Sequence, residues 1–345
     1  MVVGVKMITE MPRKMASANL RYWVIGLFAL VLLTVPLGAG PYPITVMVDI
    51  GLYSIVTMGL ILLMGFAGQI SLGHAVFFGS GAYTSAILST QYNISPWLTI
   101  MAAAVFSGGI AVFIGRFMFR LHGLILAAVT LALNLVFYFM VTSLIDLTGG
   151  AMGMLNIPPL SVGGFTSQSL HFNYYLVWIT AILFLVFSLN LASSRAGRAL
   201  RALNAYDGGS EDGAQVLGIN IMKYKLWVFA LSAIYASVAG SIYAHYTRVL
   251  EPGTFMLQFS ALVVLMAIIG GRSSPWGAFL GASLMVGLRQ ALREYIPVLV
   301  GGITGAYELI AYGSILMVAL LFLPRGLISI VQKVVPKKRL IANES

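Results

Sequence analysis

GFAGQISLGHAVFFGSGAYTSA, residues Gly65 to Ala86, is an apolar segment that contains five glycines and the polar residues Gln69, Ser71 and His74. Glycine lets membrane helices approach one another closely. Irregular backbone survives at membrane depth only where protein buries it or where it lines a cavity. The segment therefore predicts closely packed membrane helices with a break between them, and this break serves either packing or a substrate pathway.

A second segment of this type, GGRSSPWGAFLGASLMVG, runs from Gly270 to Gly287. Its proline, Pro275, and the paired glycines before it predict a break between two membrane-spanning helices. Gly277 and Gly281 have the four-residue spacing that favours close contact between helices. Packing and a substrate pathway are again alternative interpretations.

The composition predicts an all-α polytopic membrane protein. Hydrophobic residues make up 59% of the 345 residues and charged residues 9%, whereas roughly a quarter of the residues in soluble domains are charged. The absence of cysteine excludes disulfides, thiolate metal sites and a cysteine nucleophile. The net charge of +10 comes from basic residues at the ends of apolar runs, which favours membrane orientation over nucleic-acid binding.

With about twenty apolar residues for each crossing, the sequence predicts about ten transmembrane helices. The predicted spans are Tyr22 to Leu37, Ile44 to Phe66, His74 to Leu88, Trp97 to Gly115, Leu121 to Thr142, Tyr174 to Leu191, Leu226 to His245, Leu257 to Gly270, Trp276 to Leu292, and Tyr307 to Leu323. Residues 1–345 are predicted to form a single transmembrane domain. Its first span is expected to be a retained helix rather than a cleaved signal sequence.

The basic residues predict the orientation of the chain. With a cytoplasmic N-terminus, 17 of the 20 Lys and Arg residues lie on the inner side, all except Arg248, Arg289 and Arg293. Cytoplasmic loops carry such an excess of Lys and Arg. Both termini, including the basic tail 325–345, are therefore predicted to be cytoplasmic.

One polar stretch interrupts the chain, SSRAGRALRALNAYDGGSEDGAQVLGINIMKYK from Ser193 to Lys225. Charge places this loop, residues 193–225, in the cytoplasm. Ser210 is placed to cap, and Gly218 to end, a short helix from Glu211 to Leu217. Upstream, residues 198–203 (RALRAL) predict an amphipathic segment that lies at the membrane surface, against a partner or against neighbouring helices.

Four ordered motifs carry a family resemblance. They are GFAGQISLGHAVFFGSGAYTSAIL at Gly65 to Leu88, LHGLILAAVTLAL at Leu121 to Leu133 followed by LTGGAMGMLNIPPL at Leu147 to Leu160, RAGRALRAL with GAQVLGINIMKYKLWVFALSAIYASVAGSIYAHY, and IIGGRSSPWGAFLGA. With these motifs the chain, from about Leu52 to Leu327, resembles the membrane permeases of bacterial branched-chain amino acid ABC importers, the LivM-type family.

The resemblance implies one subunit of an importer in the bacterial inner membrane. Permeases of this kind pair with a second, homologous permease, bind two ATP-binding subunits and receive solute from an extracytoplasmic binding protein. The expected function is ATP-driven import of a branched-chain or other amino acid, and family members for urea, short amides or aromatic acids are the alternative. No Gly-x-x-x-x-Gly-Lys-Ser/Thr loop occurs in the sequence, so ATP hydrolysis is assigned to a partner and no enzymatic activity to this chain.

The resemblance also gives the short helix of the polar stretch a role. Family permeases dock a coupling helix of this kind into a cleft on the ATP-binding subunit. The residues expected to couple in this way are Ser210, Glu211, Asp212, Gly213, Ala214, Gln215, Leu217 and Gly218. Gly213 departs from the family pattern, in which alanine is commoner, and leaves the length of the helix open.

Polar residues at membrane depth are the candidates for a substrate pathway, because such groups are costly in lipid. They are Gln69, Ser71, His74, Thr84 and Asn134. A hydrogen bond inside the protein explains each of them nearly as well, and explains His74 better.

Two other classes of function remain in competition. An ion-coupled secondary carrier relies on buried ionisable residues, of which the predicted spans contain almost none. An intramembrane enzyme requires a metal or nucleophile constellation, and none of His74, His122, His171 or His245 has a His or Glu at zinc-motif spacing. We therefore predict no catalytic residue, no metal and no cofactor.

Overall fold

The computed structural model describes residues 25–36, 38–69, 71–119, 124–162, 165–167, 169–203, 211–300, 313–314 and 327. Most of these residues are helical. The helices are α1 (Ile25–Pro36), α2 (Pro41–Ile61), α3 (His74–Thr90), α4 (Pro96–Met118), α5 (Leu124–Ser143), α6 (Ile145–Thr148), α7 (Leu170–Ser193), α8 (Arg195–Leu203), α9 (Glu211–Val216), α10 (Ile221–Thr247), α11 (Leu257–Gly270) and α12 (Gly277–Val300). A two-residue hairpin pairs β1 (Ser161–Val162) with β2 (Phe165–Thr166).

Five of the described helices are long and apolar enough to cross a membrane. They are α2 with its extension to Phe66, α4, α5, α7 and α10. Shorter apolar helices are α1, α11 and the first part of α12, Gly277–Leu292. The chain is therefore an all-α polytopic membrane protein, as predicted. The number of ten spans stays a prediction, since the last one, Tyr307 to Leu323, lies outside the described residues except for Gly313 and Ser314.

Several helices are longer than the sequence predicted, most of all α10 and α12. Helix α10 begins at Ile221, where the Asn220 side chain accepts a hydrogen bond of 3.0 Å from the Lys223 amide and caps the first turn. Helix α12 continues to Val300. The predicted boundaries followed hydropathy, but a charged residue interrupts an apolar run without interrupting helical hydrogen bonding. The polar loop between α7 and α10 is correspondingly shorter and contains α8 as well as α9.

Helix α2 is the centre of the described bundle and packs against α7, α10, α11 and α12. Within its span 78% of the residues are buried, compared with 28% for α5, so α5 lies at the periphery. Ile55, Met58 and Leu60 of α2 are fully buried. At Gly51 the absent side chain leaves room for Val177 of α7.

Helices α3, α4 and α10 pack through small residues. A Cβ atom at Gly81 of α3 would overlap the backbone of Ser237, and one at Gly240 of α10 would overlap the backbone of Phe78. The Ser107 hydroxyl of α4 donates a hydrogen bond of 3.0 Å to Ser237 Oγ. Glycine and serine thus let the backbones of these helices approach closely, which is the usual source of stability between helices in lipid.

The segment between α6 and α7 closes one end of the bundle. Met154 and Leu250 exchange two backbone hydrogen bonds of 3.0 and 2.9 Å. The buried ring of His245, near the end of α10, lies 2.7 Å from the Pro158 carbonyl through Nδ1 and 2.8 Å from Ser85 Oγ through Nε2. Helices α8 and α9 lie at the opposite end of the bundle. We call that opposite end the α8–α9 end.

Candidate functional site

The first predicted break lies between α2 and α3. Helix α2 ends in a π-helical turn, Leu62–Phe66, and the next helix, α3, begins at His74. Gly68 in this break has a φ of +65°, a conformation that favours glycine. The backbone amide of Gln69 donates a hydrogen bond of 3.3 Å to the Leu63 carbonyl. We call residues 67–73 the first break.

Side chains from two other helices hydrogen-bond the backbone at this point. Thr130 Oγ1 of α5 accepts a hydrogen bond of 3.1 Å from the Leu72 amide, and Asn134 Nδ2 donates to the Leu72 carbonyl. Ser260 Oγ of α11 accepts from the Ala75 amide at 2.9 Å and from Asn134 Nδ2 at 3.2 Å. Asn134 is near the middle of α5, so the first break reaches the middle of the bundle. The amide and carbonyl of Leu72 thus have partners inside the protein, as irregular backbone in a membrane requires.

Ser71 and His74, two of the predicted pathway residues, lie buried beside this network. Ser71 Oγ accepts a hydrogen bond of 3.3 Å from the Gly73 amide. His74 Nε2 is 2.6 Å from Ser232 Oγ of α10, and the ring is fully buried. Each of these side chains therefore has a partner inside the protein, which was the alternative interpretation from the sequence.

The other three candidates for the substrate pathway lie in different surroundings. Asn134, 1% exposed, is the central donor of the first break. Gln69 is half-buried, and its Nε2 donates to the Ala67 carbonyl at 3.2 Å. Thr84 is half-buried in α3, about 15 Å beyond His74 at 1.5 Å per residue, and does not join the hydrogen bonds of the first break. A pathway role for all five residues stays a prediction.

Thr130, Ser232 and Ser260 belong to this site but were absent from the sequence-based candidates. Each is a buried hydroxyl inside an otherwise apolar helix. That pattern is a usable signal, since Ser and Thr side chains form hydrogen bonds between helices in membranes. The sequence does not indicate which hydroxyl meets which break. In the described part of the chain, no group of three or more His, Asp or Glu side chains is placed to hold a metal ion.

The second predicted break, residues 271–276 between α11 and α12, is held by close contact of glycines. A Cβ atom at Gly270 would overlap the Gly277 carbonyl, and one at Gly281 would overlap the Met266 carbonyl. The predicted close contact at Gly277 and Gly281 is therefore confirmed. The second break also touches the π-helical turn that precedes the first break, because a Cβ atom at Gly65 would overlap the Arg272 carbonyl.

The predicted short helix of the polar loop is present as α9. The Gly218 amide donates to the Gln215 carbonyl at 2.9 Å, and the Ile219 amide donates to the Ala214 carbonyl at 3.0 Å. With Gly218 at a φ of +77°, these two bonds form a Schellman motif that ends the helix. The predicted end at Gly218 is thus confirmed. The predicted cap, Ser210, lies outside the described residues.

Helix α9 exposes an apolar tip. Val216 and Leu217 are 88% and 78% exposed, whereas Ala214 is 2% exposed and packs into the core of the protein. Gly213 and Gln215 are also exposed. Two neighbouring apolar side chains left in the open are a feature of an interaction surface, and Val216 was missing from the sequence-based candidates.

Helix α8 connects α9 to the first break. Its residues Leu200 and Leu203 are buried, so the amphipathic segment predicted from the sequence packs its apolar face against neighbouring helices. The Arg201 guanidinium carbon lies 5.5 Å from the ring centroid of Phe66, within the range of a cation–π interaction. Phe66 is the last residue of the π-helical turn. A continuous packed route therefore leads from α9 through α8 to the first break.

A membrane-embedded helical bundle with broken helices and a short exposed helix at one end defines a transport permease. The chain belongs to the family described as branched-chain amino acid transport system / permease component, which matches residues 42–323. The match covers all of the elements described above except α1.

Individual relatives agree with this assignment. The chain is similar to the high-affinity branched-chain amino acid transport system permease protein LivM of Salmonella typhimurium, with 27% identity over 300 residues, 80% of this chain and 68% of the relative. LivM of Escherichia coli is 26% identical over 300 residues, again 80% of this chain and 68% of the relative. The ribose import permease protein RbsC of Haemophilus influenzae is 31% identical over 150 residues, 42% of this chain and 43% of the relative. No solved structure gives a significant match.

Proposed function

We propose that this chain is the membrane-spanning subunit of an ABC importer that moves branched-chain or other amino acids into the cytoplasm. The observation that carries the proposal is the exposed apolar tip of α9, Val216 and Leu217, on a helix whose buried side is anchored through Ala214. At about 1.5 Å per residue the six residues of α9 measure about 9 Å. A helix of this size fits a groove on a partner, and ATP hydrolysed by that partner drives transport.

The substrate class rests on the extent of the similarities. The similarity to LivM covers 80% of this chain, whereas the similarity to the ribose permeases covers 42%. The described side chains at the first break are uncharged or histidine, which suits a neutral or zwitterionic solute better than an ion. Urea, short amides and aromatic acids are the alternative substrates within the same family.

The proposed assembly contains a second, homologous permease, two ATP-binding subunits and an extracytoplasmic solute-binding protein. In this assembly the chain crosses the bacterial inner membrane ten times with both termini in the cytoplasm. The α8–α9 end then faces the ATP-binding subunits, and the end that carries the hairpin faces the binding protein. The excess of Lys and Arg on one side supports this orientation.

The proposed coupling uses the route from α9 to the first break. A shift of the partner moves α9, and the buried Ala214 passes the movement to α8. Arg201 of α8 lies over Phe66, so the movement reaches the π-helical turn and the break that follows it. The backbone of the first break is held mainly by side-chain hydrogen bonds to α5 and α11, which a movement of a few ångströms can exchange. Opening of a solute pathway between these helices is the proposed result.

The test is solute uptake by the complete complex in proteoliposomes. We expect Val216→Asp and Leu217→Asp each to lower uptake of leucine at least about tenfold, since burying an aspartate in an apolar cleft costs well over 1.4 kcal/mol. The matched controls are Val216→Leu and Leu217→Met, which keep an exposed apolar side chain at each position. ATP hydrolysis is measured in the same vesicles.

Two results would contradict parts of the proposal. Normal coupling of hydrolysis to uptake in both α9 variants would overturn the role of α9. Uptake by this chain alone, without ATP and with an ion gradient, would instead identify an ion-coupled carrier. A different solute transported with the same dependence on ATP and on α9 would change only the substrate.

A further inference from the structure

A cavity of about 150 Å³ lies at the α8–α9 end, between the end of α7, helix α8 and the beginning of α10. Leu191, Ala196 and Leu200 form its α7 and α8 walls, and Lys223 and Trp227 lie on its α10 wall. The surface of the cavity is almost entirely apolar. Lys223 is the one charged residue among those that line it. An apolar pocket with a single cation suits an amphipathic anion.

The α10 wall has the arrangement of a membrane–water interface. Lys223 and Trp227 are four residues apart, so they lie on the same face of α10 one turn from each other. Lys223 is exposed, and Trp227 is 60% exposed. Tryptophan is enriched where the headgroups of a bilayer begin, and lysine extends its ammonium group towards the headgroups while its methylene chain covers apolar surface.

Helix α8 adds positive charge at the same level. Arg195 and Arg198 are both exposed, and Arg195 immediately precedes Ala196 in the cavity wall. Arg198 Nη1 donates a hydrogen bond of 3.1 Å to the Ser193 carbonyl at the end of α7, so its guanidinium stays at this end of the bundle. One cation, Lys223, thus lines the apolar cavity, and two more lie on α8, the helix that forms one of its walls. Basic pockets between membrane helices recognise anionic lipid headgroups.

We infer that this cavity binds one anionic phospholipid, with part of an acyl chain between α7, α8 and α10 and the headgroup phosphate on Lys223 and Arg195. In the orientation proposed above, the lipid belongs to the cytoplasmic leaflet. There it contacts α8 directly, at the helix that links α9 to the first break. The lipid is a structural ligand of the permease and takes no part in solute selection.

The test is native mass spectrometry of the full-length chain, alone and in the complete complex. The probes are dioleoylphosphatidylglycerol and dioleoylphosphatidylcholine, which have the same acyl chains and differ in headgroup charge. We expect the first phosphatidylglycerol to bind at least about fivefold more tightly than phosphatidylcholine, the ratio that corresponds to one basic residue near a membrane surface. Binding is measured without ATP and without solute, so it is independent of the proposed transport function.

Three variants separate a built site from general surface charge. Lys223→Gln should abolish the preference for phosphatidylglycerol, and Lys223→Arg should retain it. Ala196→Phe fills the cavity and should weaken the first bound lipid of either kind. Arg116→Gln is the matched control, because Arg116 is an exposed cation in the last turn of α4 that does not line the cavity.

Three results would overturn the inference. They are equal affinity for the two lipids in the unmodified chain, an equal loss in Lys223→Gln and Arg116→Gln, and loss of the lipid when the complete complex assembles. The last result would show that a protein partner covers the cavity. Should Ala196→Phe prevent folding, the pair Lys223→Gln and Lys223→Arg decides the question alone.

Discussion

The two breaks in the helical bundle are stabilised by different kinds of contact. The first break and the first turn of α3 are held by side-chain hydrogen bonds: Thr130 and Asn134 bond the Leu72 backbone, and Ser260 accepts from the Ala75 amide. The second break is held by direct contact of backbones, since Gly270 and Gly281 leave no room for a Cβ atom. Hydrogen bonds can be exchanged one at a time for other partners or for water. A contact without side chains permits little movement, because any displacement produces overlap.

This difference assigns distinct mechanical roles to the two breaks. We expect the first break to change conformation during transport and the second to remain fixed as a support. The contact between Gly65 and the Arg272 carbonyl places the second break directly beside the π-helical turn that precedes the first break. The comparison can be tested by weakening each break in turn.

The largest effect is expected for Gly281→Ala. The added methyl group would overlap the Met266 carbonyl, and overpacking of this kind costs about 1–3 kcal/mol or more. We therefore expect a clearly lower thermal melting temperature in detergent and reduced recovery of monodisperse protein. The control is Gly287→Ala in the same helix, where nothing lies within 4 Å of the added atom. Alanine there should be neutral or stabilising, since it favours helix more than glycine does.

A smaller effect on stability is expected for Asn134→Leu at the first break. The substitution removes the donor to the Leu72 carbonyl and to Ser260, and a buried carbonyl without a partner costs about 1–3 kcal/mol. Uptake should change more than the melting temperature, because we expect the first break to change conformation during transport. Thr142→Val is the control, since the Thr142 hydroxyl only bonds carbonyls of its own helix. Unchanged uptake in Asn134→Leu would contradict the mobile role of the first break.

The smallest effect on stability is expected for Phe66→Leu. The leucine keeps the apolar contact of the π-helical turn but loses the cation–π interaction with Arg201, worth about 0.5–1 kcal/mol. The melting temperature should scarcely move, while the amount of solute imported per ATP hydrolysed should fall. Arg201→Gln should have the same effect, and the double variant should be no worse than either single one. Additive losses would show that the two residues act separately.

The end of α9, the second break and the class of protein could be predicted from local sequence. Gly218 after a short polar helix predicted the end of α9, because glycine adopts a positive φ without strain. Pro275 and the glycines around it predicted the second break and its close packing. The apolar composition predicted the class of protein. Each of these features depends on residues within a few positions of one another.

The contacts of the first break could not be predicted in the same way. Asn134 meets Leu72 across 62 residues, and Ser260 meets Ala75 across 185. Such pairs depend on which helices become neighbours. The π-helical turn at Leu62–Phe66 also has no sequence signature of its own. The prediction from hydropathy alone placed the end of α12 too early in the chain and the beginning of α10 too late. The resemblance to a family supplied the role of α9, which the residues alone left open.

The length of helix α10 has a consequence for how movement could pass between the two ends of the bundle. Helix α10 is a single helix of 27 residues without proline, about 40 Å long at 1.5 Å per residue. It begins three residues after Gly218 and contacts the opposite closing segment through His245. We expect it to move as one unit, so that its two ends tilt together. In the proposed orientation, a tilt introduced beside α9 would displace the surface proposed to receive the solute in the same motion.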